Sequence, residues 1–340
     1  MCFLAAQIFL PVKGVKPTGY NGGFTPFSIV FMSETIPLPV RDGIVPSRLY
    51  LPREQAWPDL LGFLQVKFPH MPADILRERL ARGDMVNAAG EPMGLDSPFV
   101  PDSWLWYYRE VPAEVTVPFE VTVLYQDEFL VVADKPHFLA SIPGGRYLQE
   151  TALIRLRKQL DNFDLSPIHR LDRDTAGLLL FCANKRYRGA YQTLFQTRDV
   201  QKTYEAIAPL VPALAFPLTR ESHIRKSPQY FTMEEAAEEA PNSRTRISLL
   251  AHDNTLGHYL LEPLTGKKHQ LRVHMNGLGM PICHDEFYPD LLPARADDNF
   301  NHPLQLLARS IAFTDPVTKQ QRYFESSRQL ALAGQIARAA

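Results

Sequence analysis

The chain has little cysteine: three residues in 340, at Cys2, Cys182 and Cys283. Their number is odd, their spacing is wide, and no C-x-x-C pair or mixed Cys/His ligand spacing occurs. That argues against a disulfide framework and a structural zinc site, and it fits a reducing, cytoplasmic setting. Net charge is equally scarce, because 36 Lys and Arg face 37 Asp and Glu, leaving a formal −1. The protein as a whole exerts no long-range pull on nucleic acid, so any such contact must come from a local basic patch. Long apolar runs are missing as well. The opening MCFLAAQIFLPV is too short to span a bilayer and lacks a positively charged start, so no membrane association is expected. No G-x-G-x-x-G, P-loop, H-E-x-x-H or G-x-S-x-G is present, which leaves nucleotide-cofactor, zincin and serine-hydrolase readings without support. No cofactor and no metal are expected.

What is present is an ordinary globular composition, 45% hydrophobic and 21% charged, over a length that accommodates two domains. Residues 1–31 carry only Lys13 and Lys16 as charges, and we read 1–44 as a disordered N-terminal extension, with Met32 as a candidate start. A first block spans 45–111. In it PADILRERLARGDMVNAAGEP predicts a short helix stopped by Gly83, a turn at 88–92 and a strand over 103–110. Arg77, Arg79 and Arg82 make that helix basic, which by itself reads as a solvated face. PAEVTVP, 112–118, has proline near both ends and no helical period, and reads as a linker.

The block from 119 to 330 alternates buried-strand patterns with short helices. EFLVVADKP (128–136) and GLLLFCA (177–183) read as buried strands, and 150–163 and 186–199 carry helical spacing. Residues 202–210, 244–252 and 258–264 alternate as strands do. The acidic run 234–243 reads as an exposed loop, and 267–279 as a helix. Strands outnumber helices without strict βαβ alternation, which predicts an α+β fold around a mostly antiparallel mixed sheet.

The chemistry concentrates in two polar knots. SPIHRLDRDTAGLLLFCAN (166–184) sets His169, Arg170, Asp172, Arg173 and Asp174 against an apolar strand. GKKHQLRVH (266–274) packs two lysines, two histidines, a glutamine and an arginine into nine residues. An arginine turned inward needs a carboxylate, and the first knot offers two. A carboxylate paired in this way stays ionised, which suits a nucleophile or base and disables a general acid. The same pairing also describes a buried ion-pair network without catalysis. A glycosidase built on Asp172 and Asp174 would lack its acid for the same reason.

HRLDRDTAGLLL closely resembles the H-R-L-D-x-x-T-S-G-L-L signature of the RluA-type pseudouridine synthases. Similar pieces follow in family order over about 120–326: DEFLVVADKP, KTYEAI, PLTGKKHQLRVHMNGLGMPICHDEFY and LARSIAFTDPVTKQQRYFES. The first block resembles, more weakly, an S4-like RNA-binding module of α/β type. The resemblance implies an isomerase that converts uridine to pseudouridine in RNA without cofactor, after extruding the base. It implies Asp172 as the catalytic aspartate, Arg272 as its partner and Tyr204 as the ring against the uracil. Arg170 would touch RNA around the flipped base, Leu271 would border the pocket, and Asp174 would stay outside it. His169, Lys267, Lys268, His269 and Gln270 complete the expected substrate contacts. Arg173, Lys185, Arg186 and Arg188 with the two lysines would form a basic rim. His284 stands where glycine is usual, so a changed turn is expected before Asp285. The expected substrate is structured RNA, ribosomal ahead of transfer RNA, bound by a monomer. The competing reading is a non-catalytic RNA-binding or ribosome-assembly protein using the same cleft.

Overall fold

A computed structural model describes residues 36–339, apart from 55, 56, 70, 111, 112, 229 and 230. The expectation of disorder for 1–44 therefore lies, up to residue 35, outside the described residues. The chain divides into two compact units that meet between Glu110 and Val111 in sequence. Among the described residues no helix is long and apolar enough to cross a membrane.

The first unit runs β1 (Ser47–Leu51), α1 (Leu60–Lys67), α2 (Ala73–Ala81), β2 (Met85–Val86) and β3 (Ser103–Tyr107). Its three strands form an antiparallel sheet in the order β1-β3-β2. Alternation sends Leu49 and Leu51 inward, where they meet Leu60, Phe63 and Leu64 of α1 and Leu76 and Leu80 of α2. Asp59 caps α1 by accepting the Gly62 N–H at 2.6 Å, and Gly83, at φ +70°, follows α2. Arg79 departs from the expected solvated basic face. It is 3% exposed, donates to the Tyr108 carbonyl at 2.5 Å and approaches Glu110, so it anchors the end of β3. Residues 36–44 reach the same place, with Tyr108 donating its hydroxyl proton to the Pro39 carbonyl.

The second unit contains β4 (Thr122–Gln126), β5 (Leu130–Lys135), α3 (Ala152–Gln159), β6 (Ser166–Pro167), β7 (Ala176–Cys182) and α4 (Arg188–Gln196). It continues with β8 (Val200–Pro209), β9 (Leu218–Lys226), β10 (Met233–Ala236), β11 (Ser243–His252) and β12 (Leu256–Pro263). It closes with α5 (Gln270–Gly277), β13 (Leu306–Thr314), β14 (Gln321–Glu325) and α6 (Ala333–Ala339). Eleven strands form one sheet, nine of them in the order β10-β9-β11-β12-β8-β13-β7-β5-β4, with β14 on β13 and β6 on β7. Every pairing is antiparallel except β13 with β7, which runs parallel. The mostly antiparallel α+β sheet is thus the one the strand patterns predicted.

β5 and β7 are buried along their whole length, which explains their unbroken apolar runs. Val131 and Ala133 pack with Leu179, Phe181 and α3 on one face, while Leu130 and Val132 pack with Leu178, Leu180 and α4 on the other. Farther along, Leu271 and Met275 of α5 pack on Ala206, Tyr259 and Leu261. Tyr204 touches both the α3 and the α5 clusters, so these helices share the face that carries the site. The parallel pair closes tightly at Gly177, where φ is +108° and an added Cβ would lie 2.3 Å from the Ala308 carbonyl oxygen.

The acidic run 234–243 is not simply a loop. Its first residues lie in β10 at the sheet edge, where Glu234 pairs with Arg225 and Glu235 with Arg220 of β9. Opposite charges across the strands make this edge compatible with a sheet.

Candidate active site

The residues of the first knot do not form a strand. Asp172 sits in the turn before β7, closed by the Thr175 N–H donating to the Asp172 carbonyl at 3.2 Å. The segment after β5 grips this turn from below. Ser141 Oγ accepts the Leu171 N–H at 3.0 Å and donates to the Leu171 carbonyl at 2.7 Å. His137 Nδ1–H donates to the Asp174 carbonyl at 2.6 Å. Fully buried Lys135 gives its ammonium hydrogens to the carbonyls of Pro136, Leu139 and Arg173 at 2.8–3.0 Å. Burial pulls the Lys135 pKa down to about 7, with Asp174 and Asp172 opposing that pull. Neither Lys135 nor Ser141 stood out in the sequence as a site residue.

Arg272 comes from α5, is 2% exposed, and makes the link expected of it. Its Nη1 donates to Asp172 Oδ2 at 3.2 Å. Its other edge, Nε and Nη2, grips Asp285 at 2.7 and 2.6 Å. Asp285 Oδ1 also accepts the backbone N–H groups of Phe287 and Tyr288 at 2.8 and 3.2 Å. The guanidinium carbon lies 4.6 Å from the Phe287 ring centre and 5.4 Å from that of Tyr288. Arg272 is thus fixed by a fully buried carboxylate and two aromatic rings, and it offers one remaining edge to Asp172. Asp285 is the site residue that sequence reasoning did not select. His284 takes the left-handed conformation, φ +63°, that glycine favours, and its Nδ1–H donates to the Pro303 carbonyl. Asp285 still reaches Arg272 despite the missing glycine.

Asp172 is 32% exposed at its side chain, the only carboxylate of the pair that meets solvent. Burial pushes its pKa up, but the cationic field of His269, Arg272 and Lys268 outweighs this and holds the group below the usual carboxylate range. His269 is itself lowered to about 4 by burial, so near neutral pH the acting field is that of Arg272 and Lys268. Its Nε2 lies 3.8 Å from Asp172 Oδ2 and its Nδ1 2.9 Å from the Tyr288 hydroxyl. That hydroxyl also accepts the Met233 N–H, so Tyr288 ties the His269 ring to the start of β10. The ring is aimed by a backbone in the left-handed region, φ +55°, at the start of α5.

Tyr204 is pushed up to about 12 by burial and by the charge of Asp172, so it stays a neutral phenol. Leu271 is buried in the cluster that Tyr204 joins. Arg170, Lys267 and Lys268 are exposed, and Lys268 reaches the Phe231 carbonyl at 2.6 Å. Gln270 is occupied elsewhere: it donates to the Arg244 carbonyl and Thr245 and accepts from Thr265 and the Lys267 N–H, pinning α5 to β11. His169 also departs from the expected substrate contact. Its Nε2 accepts the Leu180 N–H, its ring stacks on Phe195 at 4.7 Å, and burial lowers its pKa to about 3. Lys185, Arg186 and Arg188 lie at or just before α4, on the opposite face from α5, so they do not complete one rim with Lys267 and Lys268. Asp174 accepts from Arg173 Nε at 3.0 Å. Beside this turn a recess of about 150 Å³ is lined by Arg146, Tyr147, Arg173, Arg295, Phe138 and Phe300 among others. Among the described residues no group of His, Cys, Asp and Glu is placed to hold a metal ion.

The family model described as RNA pseudouridylate synthase matches residues 129–277, which include Asp172, Tyr204 and Arg272. The dual-specificity RNA pseudouridine synthase RluA of Salmonella typhi is 33% identical over 200 residues, which cover 58% of this chain and 88% of that protein. The chain belongs to the RluA-type pseudouridine synthases. It is an RNA pseudouridine synthase, an isomerase. The RluA of Pasteurella multocida is 29% identical over 225 residues, covering 62% of this chain and 94% of that protein. The solved structure of human RNA pseudouridylate synthase domain containing 1 shares the fold, with a TM-score of 0.52 and 24% identity over 64% of this chain and 86% of that one.

Proposed function

We propose that this synthase isomerises specific uridines in structured RNA, ribosomal RNA ahead of transfer RNA, with Asp172 as its catalytic residue. One observation carries the reading. Asp172 is an ionised carboxylate at the solvent-facing end of a chain of charge, held by an arginine that a buried second carboxylate fixes in place. An RNA uridine reaches it only after leaving its helix, at a cost of a few kcal/mol. The neutral ring of Tyr204 then offers a stacking face worth ~1–3 kcal/mol. The N1–C1′ bond breaks, the uracil turns, C5 bonds to C1′, and the hydrogen leaving C5 is balanced by one gained at N1. Asp172 starts this by attack on the base or the sugar, or by removing a ribose proton, and each of these needs the ionised form that Arg272 maintains.

Arg170, Lys267 and Lys268 would contact the backbone, and the helix–turn–hairpin order of the first unit supports a structured RNA target. We place the enzyme in the cytoplasm as a monomer, in keeping with its few, dispersed cysteines. The test is a pseudouridine map of total RNA from cells with the wild-type protein and with Asp172→Ala. Loss of one or a few ribosomal sites is the expected result. Loss in transfer RNA alone would overturn the substrate choice. An unchanged map with RNA binding intact would overturn catalysis and leave an RNA-binding protein.

A further inference from the structure

We propose that the outer face of the β1-β3-β2 sheet is a stacking platform for unpaired RNA bases, a second RNA contact apart from the catalytic cleft. The proposal rests on the RNA-directed reading above and deepens it. Strand alternation that sends Leu49 and Leu51 into the core turns Arg48 and Tyr50 to the other face. Across the strands Arg48 lies opposite Trp106 and Tyr50 opposite Trp104. The Tyr50 and Trp104 ring centres are 5.1 Å apart. The Arg48 guanidinium lies 4.3 Å from the centre of Trp104 and 5.6 Å from that of Trp106. At the end of the row Arg41 lies 4.2 Å over Tyr108. Tyr50 is 38% exposed, and Arg41 and Arg48 are exposed. Trp104 is half-buried and Trp106 only 6% exposed, so the accessible part of this face is Tyr50 and the edge of Trp104, with the Arg48 and Arg41 guanidinium planes beside them.

Helix α2, read from the sequence as basic, is less suited. Arg79 is buried, and Arg82 is engaged by Glu78, Asp84 and Glu110. Acidic residues outnumber basic ones over 36–110, so this unit has little to offer a string of phosphates. Rings and guanidinium planes bind flat partners instead. Base–aromatic stacking is tolerant of sequence, and an arginine resting on an indole adds a further planar cationic surface. Same-face positions along a strand recur about every 6.6–6.8 Å, a spacing that suits bases splayed from an extended strand. The occupant we assign is a single-stranded stretch of the RNA substrate.

The protein carries its own reporter. Its three tryptophans, Trp57, Trp104 and Trp106, all belong to this unit, so tryptophan emission excited selectively reads it alone. The experiment titrates the full chain with a short oligouridine, following tryptophan fluorescence and, with a labelled copy, anisotropy. Quenching that tracks binding is expected. Trp104→Ala should weaken binding about five- to a hundredfold, the equivalent of one lost stack, while Trp104→Phe retains it. The salt slope should be shallow, because the contact is made through rings and guanidinium planes rather than a string of phosphates. Should Trp104→Ala not fold, Tyr50→Ala at the exposed edge carries the same expectation. Anisotropy that reports binding with unchanged fluorescence overturns the proposal. So does wild-type affinity in the folded variants, or no oligouridine binding at all. In turnover on total RNA, Trp104→Ala should raise KM and spare kcat. If the wild type forms no pseudouridine yet oligouridine quenches its fluorescence, the catalytic reading fails and the platform stands.

Discussion

Replacing Asp285 by asparagine tests whether Arg272 is held or merely present. In the native site Oδ1 accepts three hydrogens, from Arg272 Nη2 and from the backbone of Phe287 and Tyr288, and Oδ2 accepts a fourth from Arg272 Nε. An asparagine can keep its oxygen on one of these sets only. If the oxygen stays with the backbone hydrogens, its NH2 faces the Arg272 Nε–H, donor against donor. Two charge-assisted hydrogen bonds contribute about 1.5–3 kcal/mol each, and breaking a buried pair costs about 3–5 kcal/mol. Asp285→Asn should therefore lose about 3–5 kcal/mol in urea unfolding. A guanidinium freed to rotate no longer presents Nη1 to Asp172, so kcat should fall roughly a hundredfold or more. KM for RNA should change little, because Asp285 is buried beneath the cleft. Single-turnover rates on the mapped substrate, beside unfolding curves, give both numbers. A loss of stability under about 1 kcal/mol with wild-type kcat would refute the argument that Asp285 fixes Arg272.

Asp172 has a lowered pKa in the folded protein, so its contribution to stability is present above its unfolded value and is lost as pH falls through the folded one. The acid limb of kcat/KM should accordingly lie below the ordinary carboxylate range, and Arg272→Met should move that limb upward in whatever activity remains. Lys135→Met would strip three buried carbonyls of their donor and should cost about 3 kcal/mol in unfolding, with loosening of the Asp172 turn visible as faster amide exchange. Gly177→Ala forces a Cβ against the Ala308 backbone at a positive φ and should destabilise by at least about 2 kcal/mol, whereas Gly189→Ala, with nothing within 4 Å, should be close to neutral.

The parts of the fold legible in the sequence are those whose cause is local. β5 and β7 announce themselves as apolar runs because both faces are buried, and α3 and α4 because one helical face is. Helix α1 escaped notice, since LLGFLQVK is apolar nearly all round and offers no polar face to set a period. β10 was hidden for the opposite reason: its glutamates resemble a loop until arginines 9 and 15 residues away are brought alongside. At the site, Asp172, Arg272 and Tyr204 were visible through a spaced signature. Asp285 was not, because a carboxylate's partner is fixed by the turn that His284 makes, and that turn runs through a conformation a histidine rarely adopts. His169 and Gln270 make other hydrogen bonds than expected because polarity near Asp172 does not reveal which side of the sheet, or which strand, takes up the hydrogen bond.

The lone parallel seam also sets an order of assembly. β13 fills the centre of the sheet between β8 and β7, yet it is the second-last strand of the unit to be made. Until residues 306–314 leave the ribosome, the half of the sheet bearing the Asp172 turn and the half bearing Tyr204 have no strand to join them. At that stage each half presents an unpaired edge, the kind of surface on which incomplete chains go astray. β13 pairs with β8 on one side and β7 on the other, so a single strand covers both of these edges. The Asp172–Arg272 ion pair spans these two halves, so it belongs to the joined sheet and to neither half alone.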